Sequence, residues 1–381
     1  MTAKSDRHIT LVGPTHPYAG GIAQHTTRLA LELEERGHRV SVESWRAQYP
    51  KLLYPGPVTV PDGAPEIGIA SNVVEKLTWY NSLSWWAAGW RSRSSHLLAV
   101  SIPTPFHAIP YLIMLSAAGG SVPTLGIVHN VLPHEPGPLD RILMRVLLNK
   151  LDAIVVHGAP AREQAISLGV EPQHILQLSL PSPWPAPTEP VSKPKGRTGP
   201  LRAIFFGTIR QYKGLDILLY ALAETNDVEL TVAGEFWDDE SAYLERIKRL
   251  GLSHRVNIRR GYIPQSDFPR LFGSADILVL PYRSGTGSIV REVGFRFGLP
   301  VIATNVGSIA EGIEDGVNGR VIEAGNVDAL AEALNQASDR EALAGWSQSV
   351  RSAGQRQKQL WENYTQALVG AMTETKRGKA K

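Results

Sequence analysis

The 381-residue chain has no cysteine. That excludes a disulfide framework, a thiolate zinc site, an iron–sulfur cluster and a cysteine nucleophile, and it fits a reducing, cytoplasmic setting. The chain also lacks a strong charge balance. Thirty-nine Lys and Arg against 36 Asp and Glu leave +3. This suits phosphorylated ligands or an anionic membrane surface, but it is too small to argue for nucleic acid as a partner. No apolar run reaches the roughly 20 residues of a membrane span, and the first eight residues have no signal-peptide core. Residues 94–134 contain no Asp, Glu, Lys or Arg. Prolines at 103, 105, 110 and 123 divide this stretch, so it reads as a buried strand over 97–102, a helix over 108–118 and a second buried strand over 124–128. There is no short-period repeat, no Gly-x-Gly-x-x-Gly after the first strand and no Asp-x-Asp at a strand end. No His, Asp and Glu set has metal-ligand spacing, so no metal and no cofactor are expected.

The remainder is the text of a globular protein, 43% apolar. Its length predicts two domains. Residues 181–200 hold seven prolines and read as the linker. The expected parts are residues 1–185, 186–355, and a terminal helix with a basic tail over 356–381. Each of the two large halves opens alike. The first has a strand at 9–12, a turn with Gly20 and Gly21, and a helix presenting Ile22, Thr26, Leu29, Ala30 and Leu33 on one face. Glu32, Glu34, Glu35 and Arg36 are expected largely off that face, Gly37 stops the helix, and a strand begins at Arg39. The second has a strand at 203–206, a glycine turn over 207–214, a helix over 215–224 and a strand over 229–233. Strand, glycine turn, helix and strand, twice, predict two Rossmann-like, doubly wound parallel-sheet α/β domains facing across a cleft, with ligands at the carboxyl ends of the strands.

The second half carries the stronger chemical signal. Gly207 at a strand end permits close backbone approach, and Arg210 and Lys213 put two cations beside the next helix, a combination that favours a diphosphate. Two ordinary surface charges are the alternative at this point. A second loop, Gly285, Thr286, Gly287 and Ser288, follows a buried strand and feeds a helix. Glu292 lies one turn into it, where a carboxylate can accept both hydroxyls of a ribose.

These residues resemble the retaining glycosyltransferases of family four, also described as glycosyl transferases group 1, which have the GT-B fold. The resemblance runs from about His8 to Tyr364 and is most specific between Ser284 and Glu311. There Gly287, Glu292, the Gly298-Leu-Pro-Val-Ile strand, Gly307 and Glu311 follow the family pattern, and residues 315–319 form its characteristic turn. Ser284 stands where the family has its first Glu, a residue that touches the donor sugar. The common Gly-Arg-x4-Lys-Gly pattern departs at Thr208, with the arginine at 210. The resemblance implies a donor site of Gly20, Gly21, Gly207, Tyr262, Ile263, Ser284, Gly285, Thr286, Gly287, Ser288 and Glu292. Arg210 and Lys213 would stabilise the departing diphosphate, and His129 would meet the donor sugar.

It further implies metal-independent hexosyl transfer from a nucleotide sugar to a hydroxyl, in polysaccharide, glycolipid or glycoconjugate synthesis. The acceptor would be a saccharide or lipid-linked saccharide held on the first domain, with His16, His134 and Glu135 as its contacts. His25, His38 and His157 read as structural or exposed. Five tryptophans, Trp45, Trp79, Trp85, Trp86 and Trp90, read as core and inter-helix packing or as a region that holds a saccharide or lipid-linked saccharide, and the cationic helix over 139–151 reads as an ordinary surface helix or one lying peripherally on an anionic membrane surface. A nucleotide-sugar epimerase and a non-catalytic sugar-nucleotide binding protein are the alternative functions.

Overall fold

The structure is a computed structural model and describes residues 7–50, 59–60, 68, 70–133, 137–184, 199–285, 287–352 and 356–379. Cα packing divides the chain into two compact units, Met1–Trp184 with Lys358–Lys381, and Pro185–Gln357. The interior of the expected linker, His134, Glu135 and Thr286 lie outside the described residues.

The first unit holds seven strands: β1 (His8–Val12), β2 (Arg39–Ala47), β3 (Val73–Thr78), β4 (Leu97–Ile102), β5 (Thr124–Val128), β6 (Ala153–Val156) and β7 (Ile175–Gln177). They form one sheet in the order β3-β2-β1-β4-β5-β6-β7, and every pairing is parallel. The order reverses direction beside β1, which makes the gap between β1 and β4 the switch point of a doubly wound sheet. β4 and β5 are buried at every position, as central parallel strands covered on both faces must be. Helices α1 (Gly21–Glu35), α2 (Ser82–Arg91), α3 (Ala108–Ala118), α4 (Pro138–Lys150) and α5 (Ala159–Ser167) make the crossovers.

Side chains alternate across β4. Leu97 and Ala99 join the core that α1 closes through Leu29 and Leu33. Leu98 and Val100 join the opposite core, with Tyr111, Met114, Leu147 and Ala165 of α3, α4 and α5. Right-handed crossovers require this split, because β1 to β2 runs one way along the sheet and the later connections run the other. One expectation fails on α1. Glu32 is buried, because Arg28 and Arg36, one turn to either side, both bind its carboxylate and satisfy the charge within the layer.

The second unit holds β8 (Leu201–Phe206), β9 (Val228–Gly234), β10 (Val256–Arg260), β11 (Ile277–Leu280), β12 (Val301–Thr304) and β13 (Gly319–Ile322). Their order is β10-β9-β8-β11-β12-β13, again parallel throughout, with the switch point between β8 and β11. Helices α6 (Leu215–Ala223), α7 (Glu240–Arg249), α8 (Phe268–Gly273), α9 (Val290–Arg296), α10 (Val327–Ser338) and α11 (Arg340–Ser352) complete it. α12 (Arg356–Lys379) returns to the first unit. Its Trp361, Tyr364 and Leu368 enter the core on the α1 side of that sheet, and the Trp361 indole donates to the Ser182 carbonyl at 2.9 Å.

Among the described residues, no helix is long and apolar enough to cross a membrane.

Candidate active site

Two loops of the second unit leave the sheet at the switch point, one after β8 and one after β11. They are fastened to each other through glycine. Gly214 is left-handed (φ 73°), and a Cβ there would stand 2.0 Å from the Pro281 carbonyl oxygen. Only glycine allows that approach. The Arg283 amide donates to the Tyr212 carbonyl at 2.7 Å, so the turn over 211–213 is held against residues 281–283. The Ile209 amide bonds the Glu235 carbonyl at 2.8 Å and ties the same loop to the end of β9.

This scaffold places Lys213. Its side chain is buried, with 8% of its surface exposed, and no carboxylate among the described residues pairs with it. Its ammonium lies 5.7 Å from the ring centroid of Tyr282. It also lies 3.3 Å from where a Gly207 Cβ would stand, so glycine at 207 leaves room for the charge. Burial first, and then the nearby Arg210 guanidinium, lower the Lys213 pKa to about 8. Arg210 itself is exposed, with its guanidinium 5.1 Å from the Trp237 ring centroid, a cation–π distance. The fold thus keeps two like charges close together, with no salt-bridged carboxylate on either among the described residues. That arrangement is costly unless a ligand supplies the negative charge.

The second loop lies directly against the tail of β12. A Cβ at Gly287 would stand 2.7 Å from Ser308 Oγ, and one at Gly285 3.1 Å from Ile309 Cδ1. Ser288 Oγ lies 3.2 Å from the buried Tyr282 hydroxyl and accepts from the Val290 amide at 3.3 Å. Thr304 Oγ1 donates to the Tyr282 carbonyl at 2.7 Å. Glu292 is half-buried on α9. Arg291 grips its Oε1 from Nε (3.1 Å) and Nη2 (2.9 Å), while Nη1 donates to the Ser308 carbonyl at 2.8 Å. Arg291 was missed in the sequence reading. The signal was an arginine directly before the ribose-type carboxylate, and the guanidinium fork fixes that carboxylate to the β12 loop. Tyr262 and Ile263 follow β10 and are half-buried. The Gly261 amide donates to Gly234 at the end of β9 at 3.0 Å. Gly207, Arg210, Lys213, Tyr262, Ile263, Ser284, Gly285, Gly287, Ser288 and Glu292 therefore all lie beyond the carboxyl ends of strands of one sheet.

In the first unit, Gly20 (φ 100°) precedes α1. The His16 amide is held by Thr27 Oγ1 at 2.9 Å. His129 follows β5, its amide donating to the Ile102 carbonyl at 3.0 Å and its Nε2 lying 3.1 Å from Ser101 Oγ. Its ring meets His25 (5.4 Å) and His157 (5.6 Å). His25 in turn stacks on Trp361 and meets Tyr364 edge-on. Burial first, and then the neighbouring imidazoles, push the His25 pKa well below its ordinary value and that of His129 down to about 3. Burial lowers His157 to about 4. All three rings are neutral at pH 7. Their mutual packing was invisible in sequence, because α12 supplies one wall of it from more than 200 residues away. Among the described residues, no group of three His, Asp or Glu side chains is placed to hold a metal ion.

The tryptophans divide. Trp45 and Trp85 are core residues, whereas Trp86 and Trp90 are about half exposed.

Comparison with known proteins agrees with this architecture. Residues 189–357 match the family described as glycosyl transferases group 1, and residues 20–181 match the glycosyl transferase 4-like domain. A D-inositol 3-phosphate glycosyltransferase of Mycobacterium marinum is 25% identical over 296 residues, 74% of this chain and 60% of that protein. The Mycobacterium tuberculosis protein of the same name is 26% identical over 238 residues, 61% of this chain. The match spans about half the length of that relative, 48%. Among solved structures, Anabaena HepE in complex with UDP superposes with a TM-score of 0.72 at 17% identity, over 95% of this chain and 100% of that one. WaaG, a glycosyltransferase involved in lipopolysaccharide biosynthesis, gives 0.66 at 17% identity, over 95% and 100%.

Proposed function

We propose that this GT-B chain, built from two glycosyltransferase domains, moves a sugar from a nucleotide-diphosphate donor to a hydroxyl acceptor with retention of anomeric configuration. One observation carries the reading: a buried lysine without a carboxylate partner among the described residues, set against a glycine at the sheet's switch point, with an arginine beside it. A diphosphate is the ligand that such a site balances. Cleavage of the anomeric carbon–oxygen bond leaves positive charge on the sugar ring and negative charge on the departing diphosphate. Lys213 and Arg210, fixed before the reaction starts, stabilise that negative charge at no reorganisation cost and need no metal to do so. Glu292, held by Arg291, accepts the ribose hydroxyls. Tyr262 and Ile263 provide backbone beside the base. His129, neutral and already bonded to Ser101, binds a sugar hydroxyl and does not act as a general base, since its pKa of about 3 lies far below the working range.

The Anabaena neighbour holds UDP in one structure and UDP-glucose in another, which supports a nucleotide sugar as donor. The mycobacterial relatives are named for inositol 3-phosphate, so that compound belongs in the acceptor panel beside saccharides and lipid-linked saccharides. His16, His134 and Glu135 are the proposed acceptor contacts.

The test is a thermal-shift screen of the full chain against nucleotide sugars and nucleoside diphosphates, since a ligand of the native state raises its melting temperature. Transfer is then read by NMR of the anomeric proton, with and without a chelator. A product of inverted configuration, or loss of transfer on chelation, overturns the corresponding part of the proposal. Turnover of donor without acceptor indicates an epimerase or hydrolase instead, and tight donor binding with no turnover indicates a binding protein.

A further inference from the structure

α2 and α4 carry the same exposed pattern. On α2, Leu83, Trp86 and Trp90 stand at i, i+3 and i+7. On α4, Leu139, Ile142 and Val146 do so too. At 3.6 residues per turn each set falls within about 60° of helix surface. Exposure of the six runs from 48% at Trp86 to 75% at Leu83. Neither stripe extends the core face. The buried residues of α2 are Trp85, Ala88 and Gly89, and those of α4 are Met144, Leu147 and Leu148, on the opposite side of each helix. An amphipathic surface helix presents polar residues there, so apolar stripes on the outer side mark a contact surface.

Both helices belong to one layer. Right-handed crossovers put α2, α3 and α4 on the same face of the sheet, and α3 packs on both of the others. Gly89 brings α2 against α3 so closely that a Cβ would stand 2.2 Å from the Met114 carbonyl oxygen. Arg93, just past α2, donates to the Ala117 carbonyl at the end of α3 at 2.8 Å and lies 3.7 Å over the Trp90 ring.

The charge of this layer selects the occupant. From residue 76 to residue 134 the chain contains no Asp or Glu at all. On α4 the exposed cations Arg141, Arg145 and Lys150 face a single acid, Asp140, whose carboxylate accepts the Gly137 amide at 2.9 Å. Tryptophan at an interface, aliphatic side chains beside it and unopposed arginine and lysine are the combination that settles on negatively charged lipid headgroups.

We propose that the α2–α4 layer is a docking face for an anionic membrane surface. The stacked Trp86 and Trp90 and the stripe Leu139, Ile142 and Val146 enter the interface, and Arg141, Arg145 and Lys150 meet the headgroups. The proposal is independent of the donor reaction and is tested without it.

The experiment is co-sedimentation of the full chain with vesicles of phosphatidylcholine containing about 30% phosphatidylglycerol, or none. Binding is expected only with the anionic vesicles, weakening as salt rises. The double substitutions Trp86→Ser with Trp90→Ser, and Ile142→Ser with Val146→Ser, are each expected to weaken it about tenfold or more, with the melting temperature unchanged. Arg141→Glu with Arg145→Glu is expected to do the same without touching an apolar group. No binding to anionic vesicles at low salt overturns the proposal. Equal binding by all three variants also overturns it. A chain that is dimeric in solution, and that the apolar substitutions make monomeric, overturns it as well, by assigning the face to a second copy.

Discussion

The two units share a strand order over six strands and place ionisable groups at the same end of each sheet, yet they treat those groups in opposite ways. In the second unit a lysine is buried beside an arginine and keeps a pKa of about 8, so it remains a cation at neutral pH. In the first, three histidines are packed against one another and against Trp361 and Tyr364, and all are driven to the neutral form. Both arrangements cost stability. The lysine keeps a charge that no carboxylate among the described residues pairs with. The histidine cluster hides polar rings, leaving both nitrogens of His25 and Nε2 of His157 without a hydrogen-bond partner among the described residues. The contrast teaches where ligand charge belongs. A site for a diphosphate must hold positive charge in advance, whereas a site for sugar hydroxyls needs neutral donors and acceptors.

Breaking the cationic side should have the largest effect. Lys213→Ala is expected to lower turnover about 10²–10³-fold, the usual cost of removing one preorganised donor to a developing anion, as read by steady-state transfer kinetics. Arg291→Met is expected to act through Glu292. Donor KM rises about tenfold while kcat changes little, because a group that only positions a ground-state contact weakens binding uniformly. Equal losses in kcat and kcat/KM would instead put Arg291 in the transition state.

The neutral side is read by acid. The unfolded chain takes up protons at histidine near pH 6.5, whereas folded His129 and His157 do so only near about 3 and about 4. Between those limits the unfolded state binds more protons, so stability falls as pH drops from 6.5 towards 4. Each histidine contributes up to about 1.4 kcal/mol per pH unit. Denaturant melts of the full chain between pH 7 and 4 measure this, and His157→Gln should flatten the slope. The smallest effect is expected at His25. His25→Phe removes two buried nitrogens without partners while keeping the stack on Trp361, and should stabilise the chain by about 1 kcal/mol.

Much of this arrangement was legible in the sequence. Leu97–Ile102, Ala108–Ala118 and Thr124–Val128 could be read from apolar runs bounded by proline, and the two switch-point loops from glycine at strand ends. Electrostatic detail was not. Glu32 reads as an outward charge, because nothing local says that Arg28 and Arg36 will close over it. Lys213 reads locally as either a phosphate cation or an ordinary surface charge, because nothing in residues 207–214 says that its side chain will be buried. The histidine cluster joins residues from three separate segments, and α12 closes it with Trp361 and Tyr364. The stripe at 139, 142 and 146 has the spacing of a core face, and only the packed structure shows that the core lies on the other side.

The central claim is that the second unit holds a diphosphate through a buried, charged lysine. The most direct measurement is calorimetric binding of nucleoside diphosphate to the full chain and to Lys213→Met, with melting followed in the absence of ligand. The account predicts that Lys213→Met loses most of its nucleoside diphosphate affinity yet melts higher, being more stable by about 1–3 kcal/mol because the buried charge is gone. Wild-type affinity should also fall as pH rises through about 8, where the ammonium loses its proton, and the variant should show no such step. Unchanged affinity in Lys213→Met would contradict the account.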